Sequence, residues 1–377
     1  MRVHIVDPSA YTPPYDHALC SALAAAGAQV QLYTSRFAHG AIAPPDGYER
    51  HESFYRLAAH VPDARARRAV KLAEHVPDML RYRRAARAAE VAHFQWLAVQ
   101  HLDGRLLPRG RPLVLTAHDI LPREPRPGQR AAQRRLYERF DAIVVHSEHG
   151  RARLVGELGV EPARVRLIPH GVLRPWRGRP EEPLPAELGD GGRAAARPLD
   201  RPVALFFGLL RPYKGLDLLL DAWRGLEGAE LWIAGMPRMD LAKLRAAAPA
   251  GVRWLTRFVS DGEMLALLRR ASLVVLPYRE IEQSGVAFAA LGAGVPLLLS
   301  DVGAFPELAA SGAARTFAAG DADALRDALR ELLGDPAALA RMAESARELA
   351  AGPYSWEQIA RQTLALYESL LGESRTR

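Results

Sequence analysis

The chain has 377 residues, of which 49% are apolar, 25% charged and 7% aromatic, with a single cysteine, Cys20. That length accommodates two ordinary domains with full cores, that composition excludes disorder over most of the chain, and one cysteine excludes a disulfide framework within it, in keeping with a reducing, cytoplasmic setting. The net charge of +7 comes from the first half, because residues 1–171 hold 25 Lys/Arg against 17 Asp/Glu (+8) while residues 172–377 hold 25 against 26 (−1); an anionic partner or surface is therefore expected for the first half only.

The opening MRVHIVDPSA reads as a short buried strand running into a Pro-containing loop. It has no long apolar stretch of the signal-peptide kind, and no apolar run approaches the ~20 residues that a membrane span needs. After the apolar run 3–6, residues 17–26 place Ala18, Leu19, Ala22 and Leu23 on one helical face, with Gly27 as the stop. The loop before it carries Pro13 and Pro14, which stiffen it and remove N–H donors, and Asp16 is placed to cap the helix. Residues 65–87 bring together Arg65, Arg67, Arg68, Lys71, Arg81, Arg83, Arg84 and Arg87. Pro77 is expected to separate two helices there, with Val70, Ala73, Met79 and Leu80 on the apolar side. Such a stretch is either a solvated face or a surface for anionic lipid, at ~1 kcal/mol per cation near the bilayer. No motif or aromatic-rich basic surface accompanies the charge, so nucleic acid is not expected.

Further strands are expected at 30–34, 91–96, 113–116, 143–146 and 165–168, separated by helical stretches. His93, His146 and His149 read as core or rim residues, and His170-Gly171 as a turn. Residues 174–202 are dense in Pro, Gly and charge and read as an interdomain linker with one helical turn. Alternation resumes with strands at 203–207, 231–234, 252–255, 273–276 and 297–299 and helices at 262–270 and 284–293. Residues 321–350 read as two helices, the second opened by Asp335-Pro336. The pattern is α/β, two doubly wound, Rossmann-like domains, for which a cleft between them is the default ligand site.

Three loops just past strand ends carry the chemistry of the second half. In Phe207-Gly208-Leu209-Leu210-Arg211-Pro212-Tyr213-Lys214-Gly215 a strand ends at a glycine, two cations follow, and a helix begins. Glycine permits close backbone approach, the helix start offers N–H donors, and an Arg fork beside a Lys point charge suits a diphosphate. Two solvated cations on an ordinary turn would read the same in isolation. The second loop, Pro277-Tyr278-Arg279-Glu280-Ile281-Glu282-Gln283, runs into Ser284-Gly285-Val286 at a helix start, and the third is Ser300-Asp301-Val302-Gly303-Ala304-Phe305-Pro306-Glu307. No His/Cys/Asp cluster has metal-site spacing, so no metal is expected.

The strings FFGLLRPYKGLDLLLDAW and VVLPYREIEQSGVAFAALGAGVPLLLSDVGAFPEL, with the tail YSWEQIARQTLALYESLL, resemble the retaining glycosyltransferases of family 4, which have the GT-B fold. The chain is similar to a branch with a Gln-Ser-Gly loop in place of the usual two-glutamate motif. The first glutamate falls on Glu282, and the second position falls on Ala289 or Ala290. The resemblance implies an N-terminal domain at 1–173, the linker at 174–202, a nucleotide-sugar domain at 203–354 and a crossover helix at 355–371. It implies that Gly208, Arg211, Lys214, Ser284, Gly285 and Val286 hold the diphosphate and sugar of the donor, and that His118 and Glu282 act at the reacting sugar. Phe258 and Glu307 are implied as further nucleotide contacts, and Asp16 and His17 as acceptor contacts.

The implied reaction is transfer of a sugar from a UDP-, GDP- or other NDP-sugar to an acceptor hydroxyl, with retention and without a metal or other cofactor. The acceptor would be a glycan or lipid-linked saccharide in polysaccharide or glycolipid assembly, and the location cytoplasmic or membrane-peripheral. A non-catalytic sugar-nucleotide-binding protein and a GT-B-type sugar-nucleotide epimerase remain as alternatives.

Overall fold

Short runs of Val, Ile and Leu form the strands, and because helices cover both faces of each sheet those runs are apolar throughout rather than alternating. The computed structural model describes residues 1–37, 40, 42–121, 128–176, 178, 182–188 and 201–376. Two compact units result, one of Met1–Gly171 with Tyr354–Arg377 and the other of Val172–Pro353.

The first unit holds β1 (Arg2–Asp7), β2 (Gln29–Ser35), β3 (Glu49–Phe54), β4 (Val91–Phe94), β5 (Leu113–Thr116), β6 (Ala142–Val145) and β7 (Val165–Leu167). They form one sheet in the order β3-β2-β1-β4-β5-β6-β7, every pairing parallel. Its helices are α1 (Pro13–Ala25), α2 (Ala64–Ala85), α3 (Gln100–Leu106), α4 (Gln129–Tyr137) and α5 (Glu148–Leu158). The second unit holds β8 (Val203–Phe207), β9 (Glu230–Ala234), β10 (Val252–Leu255), β11 (Leu273–Leu276), β12 (Leu297–Ser300) and β13 (Ala314–Phe317), all parallel in the order β10-β9-β8-β11-β12-β13. Its helices are α6 (Leu216–Trp223), α7 (Ala242–Ala246), α8 (Asp261–Arg270), α9 (Gly285–Gly292), α10 (Phe305–Ala309), α11 (Ala322–Gly334) and α12 (Pro336–Ala351). Leu219, Ile233, Val274 and Leu298 are fully buried in its core, and burying one such side chain is worth about 1.5–3 kcal/mol.

The last helix, α13 (Trp356–Thr376), belongs to the first unit and packs on α1. Two features fix it there. Tyr367 Oη lies 2.6 Å from His93 Nδ1 in β4, and the Trp356 ring lies so close to Gly171 that a Cβ there would come within 2.4 Å of it.

The structure differs from the sequence expectations in five places. Strand β3, ERHESF, was not expected because only Phe54 of its six residues is buried. Strand β13, four residues of mixed burial at the other sheet's edge, was not expected either. Helix α1 begins at Pro13, with both prolines in its first turn, so its N-cap is Thr12 and not Asp16; proline is tolerated there because those N–H groups have no intrahelical partner. Pro77 does not divide the basic stretch, because α2 runs unbroken through it; Pro77 and Ala73, whose carbonyl it leaves unpaired, are both exposed. The buried side of α2 is His75, Asp78, Met79 and Tyr82, while Ala73 and Leu80 face solvent. Finally, the described part of 174–202 packs on the second unit: Arg174 donates to Gly292 O (2.9 Å), and Arg253 to Leu188 O (2.6 Å). Residues 189–200 lie outside the described residues.

Candidate functional site

In a parallel α/β sheet the loops at the carboxyl ends of the strands face ligands, and both units place their polar side chains there. In the second unit β8 delivers the chain to Gly208, which lies at φ +112°. A Cβ at Gly208 would stand 2.9 Å from Lys214 Nζ and 3.1 Å from Val286 Cγ2. That contact unites the first two loops: the lysine and the first turn of α9 close on the same glycine. Pro212–Lys214 form one 3-10 turn that ends at Gly215, φ +68°. A Cβ on Gly215 would come within 2.0 Å of Pro277 O, so only glycine lets α6 start against the end of β11.

Lys214 is 6% exposed, with Nζ 5.0 Å from the centroid of the Tyr278 ring. A cation so far from water is costly without nearby counter-charge or a π face. Arg211 is exposed and, among the described residues, has no ion-pair partner. Arg279, which the sequence did not single out, ties the turn down: its N–H donates to Tyr213 O (2.8 Å), its guanidinium to Pro212 O (2.7 Å) and to Asp217 (2.6 Å).

Ser284 caps α9, accepting from Ala287 N at 3.4 Å, which leaves the Gly285 and Val286 N–H groups as the helix's unused donors. Glu282 stands half-buried two residues before the cap. Ala289 and Ala290, where a second glutamate would fall, are 4% and 0% exposed in the core. The third loop abuts the second: Ser300 Oγ donates to Tyr278 O (2.6 Å), and a Cβ on Gly303 would meet Ile281 O at 1.8 Å. Glu307 is exposed on the first turn of α10, and Phe258, 53% exposed, follows β10. Six of the expected residues, Gly208, Arg211, Lys214, Ser284, Gly285 and Val286, therefore gather on two adjoining loops, with Glu282 between them and Phe258 and Glu307 on neighbouring strand ends.

The first unit assembles its edge differently. His93, His118, His146 and His170 come from the ends of four successive strands, β4 to β7, and all are buried. His118 stacks on Trp96 (5.0 Å, 14°) and its Nε2 lies 3.1 Å from Gln95 Oε1. Tyr15 of α1 touches His118 edge-on (4.8 Å) and lies 4.9 Å from His170. Burial lowers all four: His93 to about 3, His146 to about 4, and His118 and His170 well below the ordinary value, with neighbouring imidazoles adding to the shifts of His93, His118 and His170. They are neutral hydrogen-bonding groups at neutral pH. The signal that would have found this row was a histidine within three residues of the carboxyl end of each of four strands adjacent in the sheet.

Asp16 is 1% exposed and pairs with Asp7 at the end of β1. Asp7 accepts backbone N–H bonds from Ser9, Tyr11 and Thr12. Burial and the Asp7 charge hold the Asp16 carboxyl well above the usual range, and burial raises Asp7 as well. His17 is half-buried, 3.0 Å from Tyr48 Oη, and lowered by burial. Among the described residues no group of three His, Cys, Asp or Glu is arranged to hold a metal ion, and no helix is long and apolar enough to cross a membrane.

Two family models match the chain. Residues 15–172 match "Glycosyltransferase Family 4" and residues 201–335 match "Glycosyl transferases group 1". A D-inositol 3-phosphate glycosyltransferase of Mycolicibacterium paratuberculosis is 28% identical over 285 residues, which is 70% of this chain and 63% of that relative; the match thus spans under two thirds of the relative's length. Among solved structures, a sucrose-phosphate synthase from Thermosynechococcus elongatus superposes with a TM-score of 0.75 at 19% identity, covering 99% of this chain and 100% of that one. The Anabaena protein HepE in complex with UDP superposes at 0.72 and 16% identity, covering 98% and 100%.

Proposed function

The chain belongs to the group 1, family 4 glycosyltransferases, and from that premise we propose that it transfers a sugar from a nucleoside-diphosphate sugar to an acceptor hydroxyl with retention of configuration. The observation that carries this reading is the closure of Lys214 Nζ and the start of α9 on Gly208, a glycine-floored cradle with one buried cation, one exposed arginine and two free N–H donors. Such a cradle suits a diphosphate. As the C1–O bond to the diphosphate breaks, the developing negative charge meets Lys214, Arg211 and the Gly285 and Val286 amides. The acceptor oxygen bonds to C1, and its proton passes to the departing diphosphate, so that the products are a glycoside and a nucleoside diphosphate. His118 and Glu282 are assigned to the transferred sugar, and the UDP-bound state of the Anabaena neighbour favours UDP among the nucleotides to be tried first.

The basic face of the first unit is proposed to meet an anionic membrane surface. Arg83, Arg84, Arg87, Arg109 and Arg111 line a cavity of about 330 Å³ with Leu80, and among the described residues none of them has a carboxylate partner. Co-sedimentation with vesicles that rises with anionic lipid content supports this placement, and binding independent of lipid charge contradicts it.

The reaction is tested by nucleoside-diphosphate release from a panel of UDP- and GDP-sugars. Wild type turns over one of them, and Arg211→Ala and Lys214→Ala each lose about a hundredfold or more in kcat/KM, the scale of one oxyanion-stabilising donor. Equal turnover in all three sinks the assignment. A second reading, a sugar-nucleotide-binding protein without catalysis, draws on the buried Ala289 and Ala290 where a carboxylate would stand; binding of a nucleotide-sugar with neither transfer nor hydrolysis selects it.

A further inference from the structure

At the carboxyl edge of the first unit's sheet lies a second lysine on a tyrosine ring. Lys71 of α2 is half-buried, with Nζ 4.6 Å from the Tyr55 ring centroid and 3.5 Å from Ser9 Oγ. Among the described residues it has no ion-pair partner within contact distance. Burial lowers its pKa from the ordinary lysine value, with the Asp7 carboxylate opposing that shift and Arg67 adding to it. Ser9 follows β1 and Tyr55 follows β3, so both stand beyond strand ends.

Tyr55 is held with unusual care. It lies at φ +52°, a conformation that a bulky residue adopts only when its surroundings impose it. Ala10, beside Ser9, is the other such non-glycine residue among those described, at φ +50°. The Tyr55 N–H donates to the buried Asp78 carboxylate (2.7 Å), and Glu74 accepts from the N–H groups of Leu57 and Ala58 further along the loop (2.8 Å each). Beneath the ring a buried chain continues: Tyr55 Oη to His75 Nδ1 (2.8 Å), and His75 Nε2 to Asp103 Oδ1 (2.6 Å). Asp103 also accepts from Val99 N (2.7 Å).

The hydrogen-bond polarity of this chain follows from its end. A carboxylate only accepts, so a neutral His75 carries its proton on Nε2, and Nδ1 accepts from the Tyr55 hydroxyl. At the outer face of the ring, Ser9 Oγ accepts from Lys71 Nζ at 3.5 Å, which leaves the Ser9 hydroxyl proton for a ligand. The two bonds from Tyr55 to Asp103 run in one direction, an arrangement in which successive bonds strengthen one another, and Lys71 rests on the ring they hold. The outcome is an ammonium group fixed at a ligand-facing edge.

We propose that Lys71, seated on Tyr55 and Ser9 and held by the His75–Asp103 pair, is an anion-binding subsite that takes a phosphate group of the acceptor. The subsite rests on the transferase reading only for calling its ligand the acceptor. His75 and Asp103 are positioning residues, and Lys71 and Ser9 supply donors.

The test is calorimetric titration of inorganic phosphate into the full chain held at saturating UDP, which keeps the second unit's cradle occupied. Wild type binds, Lys71→Met weakens phosphate about tenfold or more, and Lys71→Arg restores most of it. Tyr55→Phe, which keeps the ring and drops the hydroxyl, weakens phosphate by a smaller factor. UDP affinity stays the same throughout, which also shows that the variants are folded. Two further arms use glycerol 3-phosphate and vesicles containing phosphatidic acid; Lys71-dependent binding of the first identifies a soluble phosphomonoester and of the second alone a lipid-borne phosphate. Phosphate binding in Lys71→Met equal to wild type, or none by wild type in any arm, overturns the subsite. A chain that binds phosphate through Lys71 but never binds a nucleotide keeps the subsite and loses the donor reading; one that binds UDP but no phosphate does the reverse.

Discussion

Each unit sets a lysine over a tyrosine ring at the carboxyl edge of a parallel sheet, Lys214 on Tyr278 at 5.0 Å and Lys71 on Tyr55 at 4.6 Å, but they are built by different means. Around Lys214 the shape comes from backbone: Gly208 and Gly215 at positive φ let loops approach where any Cβ would collide. Around Lys71 it comes from side chains drawn from β1, β3, α2 and α3 through buried hydrogen bonds. The first design rests on backbone conformation and the second on buried side-chain partners. All twelve histidines of the chain lie within residues 1–170, so the two units differ in kind as well as in construction.

The largest expected effect breaks the side-chain design directly. Asp103→Ala leaves the His75 Nε2–H and the Val99 N–H without their acceptor, and leaving a buried donor unsatisfied costs about 1–3 kcal/mol. Denaturant unfolding followed in the first unit, for example by Trp96, should register that loss. A loss under 1 kcal/mol would show that Asp103 does not hold the chain of bonds.

Acid should separate the two units next. The folded values of His93 and His146 are lowered to about 3 and about 4 from an ordinary 6.5. As pH falls below 6.5 the unfolded chain takes up protons that the folded unit refuses, so stability is present above pH 6.5 and is lost toward pH 4. The slope is about 1.4 kcal/mol per pH unit for each such histidine. The second unit, lacking histidine, should keep its stability over that window. Simultaneous loss of both units, or a flat profile between pH 6.5 and 4, contradicts the comparison.

The smallest expected effect sharpens the backbone design. Arg279→Ala removes the guanidinium that bonds Pro212 O and Asp217; since that ion pair is half-exposed, the melting temperature should barely move. The turn carrying Arg211 and Lys214 loosens, however, and UDP affinity should fall about threefold. An unchanged affinity would show that the glycines alone hold the turn.

The same contrast explains what the sequence disclosed. Gly208 to Gly215 is one contiguous string, so its glycines and cations can be read together, and the Ser284-Gly285 helix start is another. Strands β5, β8 and β11 were legible to the residue because they are buried on both faces, and the edge strand β10 because three of its four residues, Val252, Trp254 and Leu255, are apolar. Strand β3 was not, since it is an edge strand whose sequence ERHESF holds one apolar residue, Phe54. The Tyr55–His75–Asp103 chain was illegible for another reason: its members are separated by 20 and 28 residues, and only the packing of α2 between β3 and α3 brings them together. Asp16 shows the limit of local rules, since the two prolines that disfavour a helix interior open this one and carry Asp16 into its buried first turn.

The central claim is that the second unit's glycine-floored cradle grips a nucleoside diphosphate through Lys214 and Arg211. Calorimetric titration of UDP into wild type, Arg211→Ala and Lys214→Ala tests it most directly. The account predicts one site per chain in wild type, weakened about tenfold or more by either substitution and more by Lys214→Ala, whose cation is the buried one. Equal affinity in the three proteins would contradict it.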